Sequence, residues 1–231
     1  MSQLTGDERA SYVHNVFNHI ARRYNLMNRL MTAGQDIRWR RQAVRLLMLS
    51  PSARLLDLGA GTGDLGREAL RQQLDIRLVA ADFNLAMMLS GRVSGPLPWV
   101  NADALHLPFP DKSFDAVVSG FLLRNVVSLE AALVEQYRIL KVGGRIVILE
   151  TTRPRAGIFS PFVRVHMRLV IPLIGGLVSG DREAYRYLPA SSESFLCAEE
   201  LADKMSSAGF RKIGFRLQMF GTIAIHWGEK D

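Results

Sequence analysis

Three glycines at alternate positions follow an apolar pair and an acid in Leu55-Leu56-Asp57-Leu58-Gly59-Ala60-Gly61-Thr62-Gly63. This pattern describes a buried strand ending in a turn without side chains that opens a helix. A ligand can then lie against bare backbone beside a helix N-terminus. Nucleotide-like cofactors use that geometry. Gly61, Gly63 and Gly66 also satisfy G-x-G-x-x-G, with Asp82 about where a ribose-binding acid stands in a dinucleotide fold. Asp57 argues the other way, because a carboxylate there repels a pyrophosphate by roughly 1–4 kcal/mol at about 4 Å, for effective dielectrics of about 80 down to 20. The ammonium and sulfonium of S-adenosylmethionine suit the same carboxylate. The segment favours that methyl donor, with the dinucleotide as the alternative.

The elements that would position these residues alternate. A helical pattern over Tyr12–Met31 carries Val13, Val16, Phe17, Ile20, Tyr24, Met27 and Leu30 at three- and four-residue steps. Gly34 breaks it, Ile37–Leu49 resumes it with a basic face, and Pro51 stops it. Then come strand Arg54–Leu58, helix Gly63–Arg71, strand Ile76–Ala81, helix Leu85–Gly91, a strand near Trp99–Asp103, strand Phe114–Ser119, helix Leu129–Leu140 and strand Arg145–Glu150. The alternation predicts an α/β, Rossmann-like parallel sheet with ligands at the carboxyl ends of its strands. Arg211–Phe220 and Thr222–Trp227, separated by Gly221, predict a closing antiparallel hairpin. The stretch from Thr151 to Phe195 fits neither rhythm and reads as an insertion.

In such a sheet Asp57, Asp82 and Asp103 end the first three strands and Ser119-Gly120 the fourth. Asp82 can accept both ribose hydroxyls. Asp103 with the backbone of Ala104 suits the amine and edge of adenine, and Thr62, between two glycines, could meet the methionine end with its N–H and hydroxyl. With Gly59, Gly61 and Gly120 these form the candidate cofactor-binding set. Each acid alone could be a helix cap or turn former; three at successive strand ends favour a ligand.

With 231 residues, 48% of them hydrophobic, the chain suits one domain with a full core. Its parts are a helical cap (1–50), a cofactor core (51–152), a substrate cover (153–195) and a closing helix and hairpin (196–231). A single cysteine, Cys197, excludes an internal disulfide and points to a reducing compartment. The first ten residues do not read as a secretory signal, and no apolar run reaches membrane-span length. The net charge of +7 and pI near 10 fit an anionic membrane surface or nucleic acid. Scattered basic residues without an aromatic platform argue against nucleic acid. The histidines show no metal-ligand spacing, so no metal site is expected.

The glycine motif, Leu-Pro-Phe-Pro-Asp-Lys-Ser-Phe-Asp (107–115), Leu-Arg-Asn-Val (123–126) and Arg-Ile-Leu-Lys-Val-Gly-Gly (138–144) resemble a class I methyltransferase. Val-Phe-Asn-His-Ile-Ala-Arg-Arg-Tyr-Asn-Leu-Met-Asn (16–28), Ala-Tyr-Arg-Tyr-Leu-Pro-Ala-Ser (184–191) with Phe195, and the ending from Gly221 to Lys230 resemble the menaquinone/ubiquinone biosynthesis C-methyltransferases. The resemblance runs from about residue 13 to 230. It implies a mostly parallel seven-stranded sheet and methyl transfer from S-adenosylmethionine to a ring carbon of a polyprenylated quinol. Cofactor roles carry over to Thr62, Asp82, Asp103 and Ala104. Two departures stand at the fourth strand end: the family's serine is missing in register, with Ser119 one place off, and Leu122 stands where the family often has glycine.

A methyl sulfonium is already electrophilic, so the protein must mainly position it and stabilise a phenolate-like quinol oxygen. Arg124, just past the fourth strand, is the expected stabiliser, with Asn125 as hydrogen-bonding partner; a fold-stabilising ion pair is the plain alternative. Tyr24 and Asn28 share a helical face and could line the quinol pocket, with core packing the other reading of Tyr24. Ile158–Val178, apolar with Arg164 and Arg168, is expected to be a cover that admits the prenyl tail from the bilayer, with a core-packed helix bearing a basic outer face as the alternative. Together these imply a cytoplasmic protein peripherally associated with the inner face of the membrane, with a homodimer compatible. Another phenolic or lipid-like small molecule, or RNA, is the alternative substrate.

Overall fold

The computed structural model describes residues 6–153 and 184–231. Its strands are β1 (Arg54–Leu58), β2 (Arg77–Asp82), β3 (Trp99–Asn101), β4 (Phe114–Gly120), β5 (Leu140–Thr151), β6 (Arg211–Gln218) and β7 (Ile223–Glu229). They form one sheet in the order β3-β2-β1-β4-β5-β7-β6. The first five are parallel; β7 runs antiparallel to β5 and to β6. Strand order reverses beside β1, between β2 and β4, which is where a ligand crevice forms in such sheets.

The period-two alternation of the strands fills both faces. Leu55, Leu78, Ala116, Val118, Val147 and Leu149 point to one side, against Trp39, Ala43 and Val44 of α3 (Gln35–Leu46) and Leu65 and Ala69 of α4 (Asp64–Gln72). Leu56, Leu58, Val117, Ile146 and Ile148 point to the other. There they meet Leu133 and Ile139 of α6 (Leu129–Ile139) and Leu201 and Met205 of α8 (Ala198–Ser207). Continuous apolar runs in β1, β4 and β5 are what a doubly covered parallel sheet requires.

The N-terminal helix is not continuous. α1 (Gly6–Ile20) ends in a 3-10 turn over Ala21–Arg23, and α2 (Tyr24–Met31) follows. The break lets Val16 and Ile20 from one helix and Met27 and Met31 from the next converge on Tyr187 of α7 (Ala184–Glu193). Gly34, at φ 76°, then turns the chain into α3, where only a residue without Cβ strain fits comfortably.

Elsewhere the strand ends shift. β3 stops at Asn101, two residues before Asp103. β5 starts at Leu140, ahead of the expected Arg145, because pairing with β4 jumps from Phe114↔Leu140 to Ala116↔Arg145 around Gly143. The β6–β7 link is a 3-10 turn over Met219–Gly221, longer than Gly221 alone. α7 gives a helix inside the stretch read as an insertion, whereas Ile158–Val178, the expected tail cover, lies outside the described residues.

Candidate functional site

At the end of β1, Asp57 is fully buried. Its Oδ2 accepts the Gly66 N–H of α4 at 2.8 Å, while its buried Oδ1 has no partner. Burial pushes its carboxyl up to about 7 against the pull of the Gly66 N–H; Asp82 and Asp64 add to the rise and Arg40 opposes it. The loop beyond runs through left-handed Gly59, Gly61 and Gly63 at φ 64°, 57° and 81°. At Gly59 a Cβ would stand 2.8 Å from Leu122 Cδ1, so the leucine that departs from the family pattern packs into the space the missing side chain leaves.

Asp82, at the end of β2, splints this loop. Its Oδ2 accepts the Gly61 N–H at 2.6 Å and its Oδ1 the Asn84 N–H at 2.7 Å. Burial raises its pKa, those two N–H groups and His14 oppose the rise, and each oxygen retains a lone pair for a hydroxyl. Asn101 Nδ2 donates to the Asp82 and Phe83 carbonyls at 2.9 and 3.0 Å, fixing the same turn from β3. Asp103 Oδ1 accepts the Leu105 N–H at 2.9 Å, its Oδ2 lies 3.5 Å from His106 Nδ1, and the side chain is 45% exposed. It is a turn former that also faces solvent beside the buried Ala104.

Thr62 departs from expectation. Its hydroxyl is given to Asn25 Oδ1 of α2 at 2.8 Å rather than left for a ligand, because the N-terminal helices sit directly on the loop. That docking is polar and repeated. Asn25 Nδ2 donates to Asp64 Oδ1 at 3.3 Å, and Arg40 of α3 lies 3.2 Å from Asp64 Oδ2. Asn84 Nδ2 donates to the His14 carbonyl at 3.0 Å and Asn18 Oδ1 at 2.9 Å, and Ser90 Oγ, on α5 (Leu85–Arg92), donates to the Ala21 carbonyl at 2.9 Å.

The end of β4 turns sharply. Ser119 is buried on a strand flanked by β1 and β5, and its Oγ has no partner among the described residues. A Cβ at Gly120 would stand 2.7 Å from Leu65 Cδ1. Phe121 follows at φ 59°, a left-handed conformation that bulky residues rarely hold outside special sites. Arg124 is buried, its Nη1 paired with the equally buried Glu150 at the end of β5 and its guanidinium 5.2 Å from the Phe121 ring centre. Asn125 Nδ2 donates to the Phe121 carbonyl at 2.8 Å, and its Oδ1 accepts the Tyr187 hydroxyl at 2.9 Å. Arg9 Nη2 reaches the Arg124 carbonyl at 2.8 Å. On α2, Tyr24 lies edge-on to Phe17 at 6.0 Å, and Asn28 Nδ2 is buried without a partner. His19 is exposed and bound to the Asn15 carbonyl, while His226 is buried and bound to that of Ala198.

Asn25, Asn84, Asn101, Glu150 and Tyr187 contact the candidate residues or their loops, and strand-end counting passes over them. Asn25 and Tyr187 sit inside the two terminal motifs 16–28 and 184–191. Glu150 carried a signal too, as an acid closing the apolar run Ile146-Val147-Ile148-Leu149.

The residues fit S-adenosylmethionine: a buried carboxylate oxygen at Asp57 without a partner among the described residues suits a cation, and the left-handed loop of Gly59, Gly61 and Gly63 presents backbone beside the start of α4. Sheet order and the acid-lined glycine loop define a class I methyltransferase fold. A methyltransferase of Thermotoga maritima superposes with TM-score 0.64 at 21% identity, covering 95% of this chain and all of that one. The ubiE/COQ5 methyltransferase family model matches residues 4–230, and the chain belongs to that family. It is 44% identical over 220 residues to the demethylmenaquinone methyltransferase of Thermus thermophilus, covering 93% of this chain and 100% of that protein. It is 43% identical over 221 residues to the ubiquinone/menaquinone biosynthesis C-methyltransferase of Desulfotalea psychrophila, covering 94% of this chain and 90% of that one.

Proposed function

We propose that this protein transfers a methyl group from S-adenosylmethionine to a ring carbon of a polyprenylated quinol in menaquinone or ubiquinone biosynthesis. One observation carries the reading: the chain spans the whole of a demethylmenaquinone methyltransferase at 44% identity. The donor supplies an electrophilic methyl when bound. The protein's part is to hold it, exclude water and favour an ionised quinol oxygen. Asp82 accepts the ribose hydroxyls with the lone pairs that Gly61 and Asn84 leave, and Asp103 with Ala104 takes the adenine edge. Asp57, the N–H of Thr62, Gly59, Gly61 and Gly120 surround the methionine end. Arg124 stabilises the quinol oxygen, Asn125 holds the loop that carries it, and Tyr24 and Asn28 line the quinol side.

The helical cap of residues 1–50 and the cover of 153–195 are the parts that would meet the prenyl tail. An anionic membrane surface on the cytoplasmic side is the proposed source of that tail, supported by the net charge of +7 and by Arg22, Arg23 and Arg29 exposed beside Leu26 and Leu30 on the cap. No helix among the described residues is long and apolar enough to cross a membrane. Mass spectrometry decides the reaction: the protein with S-adenosylmethionine should add one methyl mass to demethylmenaquinol or to a demethylated ubiquinol precursor. No gain on either ring would overturn the proposal.

A further inference from the structure

Glu150 is a buried acid beside the proposed reacting side that the reaction scheme leaves without a task. It is 0% exposed at the carboxyl end of β5. Its Oε1 takes Arg124 Nη1, the Thr151 N–H at 2.8 Å and the Thr151 hydroxyl at 3.3 Å, and its Oε2 faces the Arg124 N–H at 3.4 Å. The carboxylate is therefore fixed from several directions. Arg124 is not treated symmetrically. A guanidinium in a buried structural pair frequently meets its carboxylate as a two-pronged fork, and its remaining N–H groups are costly to leave unsatisfied. Here a single side-chain nitrogen, Nη1, is engaged, and Nε is buried with no partner among the described residues. Leaving such a donor unpaired is costly unless something else takes it.

We propose that Glu150 is a positioning residue for methyl transfer. By holding Nη1 it fixes the guanidinium so that the opposite edge, Nε with Nη2, is the fork offered to the ionising quinol oxygen. The surroundings agree. Phe121, in its left-handed conformation, lays its ring against the guanidinium and its carbonyl under Asn125, so the plane is held from a second side. The groups that face this cluster from elsewhere are Arg9 and Tyr12 of α1 and Tyr187 of α7. Glu150 also sets the charge. It offsets much of the arginine's field in the resting site, so the fork binds a neutral quinol without forcing its ionisation before the donor is in place. The inference rests on the role proposed for Arg124, and its test separates the two.

Glu150→Asp keeps the charge and shortens the reach; Glu150→Gln keeps the reach and removes the charge. Melting temperature, S-adenosylmethionine Kd and single-turnover rate against pH are measured on both variants and on Arg124→Gln. Positioning predicts that Glu150→Asp loses about tenfold to a hundredfold in single-turnover rate with Kd for the donor unchanged. It predicts that Glu150→Gln keeps more of the rate and moves the rising limb of the pH profile to lower pH by about one unit or more, because an unopposed arginine favours the phenolate. A folded Glu150→Gln with the parental rate and an unmoved pH profile overturns the inference, whether or not Glu150→Asp folds. If Arg124→Gln itself turns over at the parental rate, it is the arginine's role that fails.

Discussion

Arg124→Gln is the most revealing perturbation, because its partner is buried with it. The sequence suggests an arginine whose loss slows the reaction and spares the fold. The structure adds Glu150, fully enclosed and paired to Arg124 Nη1. Removing one member of a buried pair leaves an uncompensated charge and costs about 3–5 kcal/mol, whereas removing both charges is often close to neutral. For a chain of this size 1 kcal/mol moves the melting temperature by about 2–4 °C. Arg124→Gln should thus melt about 6–20 °C below the parent, and Arg124→Gln with Glu150→Gln should recover most of that loss. Single-turnover rates should stay low in both, by roughly 10²–10³, because neither offers a charged donor to the quinol oxygen. Differential scanning calorimetry of the four proteins closes the cycle. A single variant melting within about 2 °C of the parent, or a double variant no more stable than the single, would refute the reasoning.

Asp82→Ala removes the carboxylate from the ribose and from the Gly61 and Asn84 N–H groups, so calorimetry should show donor binding weakened by at least about 1.5–3 kcal/mol; unchanged affinity in a folded protein rejects the assignment. Asp57 has its pKa raised to about 7 by burial, so the ligand-free fold binds a proton that the unfolded chain has released, and the group's contribution to stability falls as pH rises from its unfolded value towards 7. Asp57→Asn should accordingly flatten the fall in ligand-free melting temperature between pH 5 and about 7, and parallel pH curves for parent and variant would count against it. Gly59→Ala adds a Cβ at φ 64° against Leu122 and should cost about 1–3 kcal/mol, part of which Leu122→Ala returns; equal melting temperatures with and without the second change would disprove the contact.

The sheet was legible because its signals are local. Apolar runs of strand length, the three glycines and the Pro51 and Gly34 stops each act within a few residues, and β1, β2, β4 and the helices between them lie close to where these place them. Asp57 and Asp82, at the ends of β1 and β2, were legible by the same logic, whereas Asp103 falls in the turn two residues beyond β3. What stayed hidden depends on approach from a distance. Nothing near Thr62 in sequence says that its hydroxyl belongs to Asn25, 37 residues earlier. Glu150 and Arg124 are 26 residues apart and meet only because β5 pairs with β4. The break at Ala21–Arg23 is likewise tertiary: helical spacing runs straight through it, and packing around Tyr187 decides it.

Beyond the packing of α1 and α2 on each other, the polar contacts that dock them on the core come from downstream. Asn25 waits for Thr62 and Asp64, Asn18 for Asn84, Arg9 for the Arg124 carbonyl and Tyr12 for the ring of Tyr187. During synthesis at about 5–20 residues per second, the interval between residue 12 and residue 187 leaving the ribosome is about 9–35 s. Through that time Val16, Ile20, Met27 and Met31 have no complete surface to bury against. Residues 12–31 therefore wait long for their partners, and although the sheet is completed later by β6 and β7, translation order gives chaperones an extended time to act on them. Slowing elongation lengthens that window, and supplying residues 1–50 as a separate peptide to the remaining chain would show whether the cap can still be added after the core has formed.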